Sequence, residues 1–173
     1  SPLSETIEGG MKRKSCQKKG CEYVHWNNPT PVLAAIAHRK DEVILIQAIG
    51  WPKHWYSLVT GFHEAGETAE EGALREVKEE TNIDVILDNL FCVYSHPKIG
   101  TLRHYLEDDF SQHVIDIFLI GLPTSNKIKK SKESLDVKFF KFEDVPSNIV
   151  PTLAMAIKDY KATYRLNGKP ILR

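Results

Sequence analysis

Long hydrophobic runs are missing from this 173-residue chain: the longest apolar stretches, residues 32–37, 43–46 and 117–122, fall far short of the roughly 18 that a membrane-spanning helix requires. They read as buried strands. Net charge is missing too, since 23 Lys and Arg face 23 Asp and Glu. With it goes the usual electrostatic reason to expect a nucleic-acid or membrane-surface partner; a small molecule is the expected one. Cysteine is scarce and odd in number, at Cys16, Cys21 and Cys92, which excludes a disulfide framework and suits a reducing compartment. No basic stretch leads into an apolar segment at the start, so no secretory signal is read and the cytoplasm is the expected location. There is no internal repeat, and no stretch rich enough in Gly, Pro or Ser to divide the chain. With 42% hydrophobic residues, one core is expected, burying about 70% of the unfolded surface without disulfides or a structural metal.

Residues 1–10 are polar and without pattern, so 1–15 is read as a flexible tail ahead of a single domain over 16–173. Segments 31–37 and 42–47, separated by His38-Arg-Lys-Asp41, read as a hairpin of two buried strands. A short third strand is expected over 56–59. Thr68-Ala-Glu-Glu71 has capping-box spacing and opens a helix that runs to Glu80, with an apolar stripe of Leu74, Val77 and Thr81 assisted by Ala73. Strand-like runs recur at 90–94, 101–105, 114–121 and 137–142. A last amphipathic helix, about 151–164, carries Leu153, Ile157, Tyr160 and Tyr164 on one side. Strands outnumber helices and run in hairpins, which predicts an α+β class with a mixed sheet rather than a doubly wound parallel one.

The chemistry is concentrated in Gly61-Phe-His-Glu-Ala-Gly-Glu67 and Arg75-Glu-Val-Lys-Glu-Glu-Thr-Asn-Ile83. At 100° per residue, Glu76, Glu79 and Glu80 share one helix face, with Gly72 and Ala69 on the same side one and two turns earlier. Like charges at these spacings cost a helix about 0.2–0.5 kcal/mol per pair. Divalent cations reverse the sign of that term: carboxylate oxygens are what Mg²⁺ and Mn²⁺ prefer, and small neighbours leave room for bound water and a phosphate chain. Taken alone, the same trio also fits an ordinary solvated helix face.

The full segment 61–83 weighs against that bland reading. It resembles the Nudix box, G-x5-E-x7-R-E-U-x-E-E-x-G-U with U aliphatic, at every specified position except Asn82, where the pattern has Gly. By average residue frequencies such a match arises by accident on the order of once in a million chains of this length. Asn82 follows the helix end, where the chain commonly turns through the left-handed region, and Asn is the non-glycine residue best tolerated there.

The resemblance implies an α/β/α sandwich with a mixed sheet and a metal-dependent pyrophosphohydrolase acting on a nucleoside diphosphate linked to another moiety, with an ADP-ribose or dinucleotide type favoured. It implies Mg²⁺ or Mn²⁺ held by Glu76, Glu79 and Glu80, with Glu80 the first choice for a bridging role and the Gly61 carbonyl completing the shell. Glu79, Glu80, Arg75 and Glu133 form the catalytic set. Within it Arg75 is expected to hold the carboxylate cluster by bidentate bonding to Glu67. Glu133, just before a strand, is the candidate fourth ligand or base, its alternative being a solvated lysine-rich turn. Glu64 is either a supporting carboxylate or an exposed loop residue, and Glu107, Asp108 and Asp109 make a second acidic candidate. A homodimer is the assembly that many relatives suggest.

Cys16-x4-Cys21-x3-His25 is similar to half of the zinc ribbon in NADH-pyrophosphatase-like relatives. A structural zinc wants four ligands, so no zinc is expected at Cys16 and Cys21; a vestigial metal-free loop or an inter-chain site are the remaining readings. Trp51, Trp55 and Tyr56 are candidate base-stacking residues, with core packing as the alternative. Pro97 lies where ADP-ribose pyrophosphatases often carry a proline, and the longer NADH-pyrophosphatase signature is absent. Lysines over 127–132 fit either phosphate contact or a solvated turn. Three other functions stay open: a housecleaning nucleoside triphosphate pyrophosphatase, a Nudix-fold sensor that binds a nucleotide without cleaving it, and a zinc-dependent interaction protein built on the N-terminal cysteines.

Overall fold

The computed structural model describes residues 2–49, 51–96, 113–165 and 168–172. The expected strand at 101–105, Pro97 and the trio Glu107, Asp108 and Asp109 lie outside them. Within the segment read as a tail, the chain instead forms two strands, β1 (Leu3–Glu8) and β2 (Met11–Cys16), joined antiparallel and extended by β3 (Val24–His25) into a small separate sheet. The turn is Gly9-Gly10, both at positive φ (58° and 79°), the backbone that a two-residue hairpin turn needs. Facing pairs such as Glu5 with Lys14 and Thr6 with Arg13 are polar on polar, so no alternation of apolar residues announces the hairpin.

The larger sheet contains β4 (Thr30–Arg39), β5 (Glu42–Ala48), β6 (Val59–Phe62), β7 (Val85–His96), β8 (Val114–Pro123), β9 (Ser134–Lys141) and the short β10 (Ile171–Leu172), which the sequence reading omits. Its order is β10-β7-β8-β4-β5-β9, with β6 pairing β4. On one edge β4 runs parallel to β8; on the other it pairs first with β6 through residues 32–35 and only then with β5, at His38 and Arg39. The expected hairpin therefore exists only at its tip. The third strand is displaced from 56–59 to β6; Tyr56 and Ser57 make single bridges, to Ile149 and Ile46.

Helix α1 (Ala69–Thr81) and helix α2 (Pro151–Asp159), which continues as a π-helical turn through Tyr160–Tyr164, cover opposite faces of the sheet. Alternation along β4 divides the core between them. Ala34 and Ile36 join Phe91, Tyr94, Phe118, Leu153, Ala156 and Ile157 on the α2 side; Ala35 and Ala37 join Val59, Ile83 and Val77 of α1 on the other. This is the expected α+β sandwich with a mixed sheet. The α2 stripe is as predicted, with Leu153, Ile157, Tyr160 and Tyr164 all buried. In the α1 stripe Ala73, Val77 and Thr81 are buried as expected, but Leu74 is exposed and Gly72 and Glu80 are buried instead. A helix seated edge-on against β6 turns a glutamate inward in place of the leucine.

Candidate active site

Local sequence aims α1. The Thr68 hydroxyl accepts from the Glu71 backbone N–H (3.1 Å) while the Glu71 carboxylate accepts from the Thr68 N–H (2.8 Å), the reciprocal capping box expected there. At the other end Asn82 takes φ 56° and ψ 19° and its N–H bonds the Lys78 carbonyl, so the departure from glycine fits the backbone.

Arg75 organises the acidic groups. Its Nε and Nη2 donate to the two oxygens of Glu67 (3.0 and 2.9 Å), its Nη1 to Glu76 (2.7 Å) and Glu79 (3.3 Å), and Nη2 also reaches the Phe62 carbonyl (3.2 Å). One guanidinium thus ties the loop before α1, the helix and the end of β6 into one frame. The Glu67 carboxyl, gripped by Arg75 and by the Glu64 N–H, is held down to about 2. Glu64 contributes that backbone N–H and an exposed side chain. His63, which the sequence reading passed over, also braces the loop through its ring contact with the Glu67 carbonyl (2.9 Å).

The three helix glutamates occupy different environments. Glu79 is exposed, Glu76 is half-buried, and Glu80 is buried at 8% exposure. Burial raises the Glu76 carboxyl, opposed by Arg75. At Glu80 burial, followed by the charges of Glu76 and Glu133, pushes the carboxyl up to about 8 against a Thr60 backbone N–H. Glu80 Oε2 is buried with no hydrogen-bond partner. Facing the pair is Gly61, where a Cβ would fall 1.9 Å from Glu76 Oε1, so only glycine admits the carboxylate at the strand. Gly72, read as room for water or phosphate, has another use: a Cβ there would strike Leu33 Cδ1 at 2.4 Å and Glu67 Oε1 at 2.5 Å, so its absence lets α1 close onto β4 and the loop.

Glu133 comes from far along the chain to the same place. Its charge acts on both Glu76 and Glu80, its carbonyl accepts from the Ile49 N–H (2.8 Å), and the next residue, Ser134, reaches the Glu80 carbonyl (3.5 Å). The lysines at 127, 129, 130 and 132 are exposed. Of the aromatic candidates, Trp51 and Trp55 are half-buried against the α2-side core. The Tyr56 hydroxyl donates to Asp136 (2.6 Å) and its ring meets Phe140 edge-on, so Tyr56 is engaged within the fold.

The donor set fits a hard divalent cation: all oxygen, more carboxylates than the one guanidinium neutralises, and one buried oxygen without a proton donor. Among the described residues, no three side chains of His, Cys, Asp or Glu enclose an ion as they stand, and Arg75 Nη1 bonds both Glu76 and Glu79. The same holds at the N-terminal cysteines, where Cys16 is half-buried and Cys21 exposed. Among those residues, no helix is long and apolar enough to cross a membrane.

The NUDIX domain model matches residues 28–164, most of the chain. An ADP-ribose pyrophosphatase of Methanocaldococcus jannaschii is 30% identical over 149 residues, spanning 86% of this chain and 80% of the relative. A dihydroneopterin triphosphate diphosphatase of Escherichia coli is 33% identical, spanning 60% and 72%. A NAD-capped RNA hydrolase of Salmonella schwarzengrund is 26% identical, with 73% of this chain matched to 44% of that protein. Among solved structures, a NUDIX hydrolase from Nitrosomonas europaea superposes with a TM-score of 0.80 at 26% identity, over 99% of this chain and 91% of the other. The chain belongs to the NUDIX family and is a Nudix hydrolase.

Proposed function

We propose that the protein hydrolyses the diphosphate bridge of a nucleoside diphosphate linked to a second moiety, with Mg²⁺ or Mn²⁺ held by Glu76, Glu79, Glu80 and the Gly61 carbonyl. The observation that carries this reading is the buried, unpartnered Glu80 oxygen, with the neighbouring Glu76 carboxylate packed against Gly61, where a Cβ would displace it. A bound divalent ion supplies charge neutralisation on the phosphate oxygens and acidifies water. The chain's own groups do the rest. Arg75 and Glu67 hold the loop and helix in register, and the exposed Glu133 carboxylate is placed to accept a proton from the attacking water or to add a ligand. Water adds at phosphorus, the anhydride P–O bond breaks, and two phosphorylated products leave.

An ADP-ribose or dinucleotide-type substrate is favoured by the relative named for ADP-ribose, which aligns over most of both chains. A nucleoside triphosphate is the second reading, supported by the triphosphate diphosphatase relative. The products separate them: ADP-ribose gives two monophosphates, whereas a triphosphate gives pyrophosphate. The test is a Mg²⁺-supported screen over ADP-ribose, NADH, FAD, diadenosine polyphosphates, NDP-sugars and NTPs with wild type and Glu80→Gln. The variant is expected to lose more than the roughly 10–100-fold that outer-shell partners typically cost, while still binding nucleotide. Equal turnover by the two proteins would remove Glu80 from the mechanism.

A further inference from the structure

The small N-terminal sheet has no part in this chemistry, and its charge is unlike that of the whole chain. Residues 11–26 hold five Lys and Arg against one Glu, a local excess that the zero net charge averages away. Register sorts the side chains by face. Glu5 pairs with Lys14 and Lys14 with His25; Ile7 pairs with Lys12, and Leu3 with Cys16, whose N–H bonds the Tyr23 carbonyl (2.9 Å). Registered neighbours share a face, so Lys12, Lys14, Tyr23 and His25 lie on one side of this sheet together with Leu3, Glu5 and Ile7. All of them are exposed. The opposite face is occupied by the sheet's own contacts: the Thr6 hydroxyl donates to Ser15 (3.0 Å), and the Arg13 guanidinium stacks on Trp26 (4.6 Å). A recess of about 740 Å³ is lined by Lys12, Lys14 and His25, with Leu3 and Glu5 of the neighbouring strand. Among the described residues, no carboxylate pairs with Lys12 or Lys14, nor with Lys18 and Lys19 in the turn that follows.

We infer that this face binds single-stranded nucleic acid, with phosphates along Lys12 and Lys14 of β2 and bases over Tyr23 and His25 of β3. Lys12 and Lys14 are two residues apart on one strand, about 6.7 Å, a spacing that serves successive phosphates of an extended polynucleotide. The rings stand one strand over, about 4.8 Å to the side, where the bases of such a chain project. Lysines without carboxylate partners are free to replace the counterions of a phosphate backbone, and aromatic rings stack on any base. Lys18 and Lys19 extend the cationic strip past the Cys16 end. Glu5 borders it on β1 and repels phosphate, which keeps the chain on the β2–β3 side. The recess is of a size that holds a nucleotide. A recess also disfavours a flat lipid surface, and bare rings disfavour a duplex, whose bases are already stacked on one another.

The test is fluorescence anisotropy of the full chain with labelled single-stranded RNA and DNA of about 15 nucleotides, repeated across salt concentrations, with the matched duplexes and phosphatidylserine vesicles as competitors for the same face. Neither readout depends on turnover at the acidic site. Wild type is expected to bind a single strand, RNA or DNA, more tightly than duplex. Lys12→Gln with Lys14→Gln should weaken binding and flatten the slope of log affinity against log salt by about 1.4, for two lost phosphate contacts. Tyr23→Ala with His25→Ala should weaken binding about tenfold with the salt slope kept. Lys158→Ser, an exposed lysine on α2, should match wild type. No single-strand binding at low salt, duplex bound as tightly as single strand, or a Lys12 and Lys14 variant equal to Lys158→Ser overturns the inference. So does vesicle binding without oligonucleotide binding, and so does unchanged affinity in Tyr23→Ala with His25→Ala, since charge alone then accounts for the complex. A thermal melt of each variant identifies unfolding; if the Lys12 and Lys14 variant unfolds, Lys18→Gln with Lys19→Gln decides, and an unchanged salt slope there overturns the inference.

Discussion

At the scale of single residues, two glycines in one motif differ in what their missing side chain is for. At Gly61 the obstructed neighbour is the end of a glutamate side chain, which can swing away at little cost to the fold. Gly61→Ala should therefore melt close to wild type while its turnover falls by about 10–100-fold, the range for displaced support of a metal ligand. Parallel melting curves and Mg²⁺-dependent rates check this, and a large loss of stability with normal kcat per folded molecule would refute it. The three glutamates differ likewise. Equal on a helical wheel, they span exposed Glu79 to buried Glu80 in the fold, because depth is set by β6 and by the strand that follows Glu133.

At the scale of elements, α1 is held by short-range and long-range devices of different legibility. The capping box and the Asn82 turn involve residues within four positions of one another, so their spacing in the sequence is their geometry. The closeness of α1 to β4 is not local. It depends on Gly72 lying over Leu33 and Glu67, and Gly72→Ala forces a Cβ into a core methyl group. Overpacking of this kind costs about 1–3 kcal/mol, measurable as a lower urea midpoint with an unchanged denaturant slope. The β1–β2 hairpin was hidden for the converse reason: its one local signal is Gly9-Gly10, and most of its facing residues are polar. Leu74 misled because helical periodicity identifies a stripe without saying which edge the sheet covers.

At the scale of the whole molecule, the buried Asp116 couples stability to pH. Its carboxyl is raised from the ordinary 3.8 to about 6, so the folded state binds the proton more tightly than the unfolded chain. That contribution is complete below pH 3.8 and is lost as pH rises through 6. Two pKa units amount to on the order of 3 kcal/mol. Asp116→Asn removes the term, so its stability advantage over wild type should grow between pH 4 and 7 and then level off. Urea unfolding of both proteins across that range measures it, and a gap independent of pH would show that burial does not govern this group.

The amino-acid order alone determined the acidic helix, its caps, the glycine and arginine spacing of the motif and the two-faced strands, because each is a relation between residues a few positions apart. Only the tertiary structure decided that Glu80 is buried and Glu79 is not, that Glu133 approaches them, and that Asp116 shares a row with Phe62. Those outcomes depend on desolvation and charge proximity created when strands distant in sequence are laid side by side, and no local pattern carries that information.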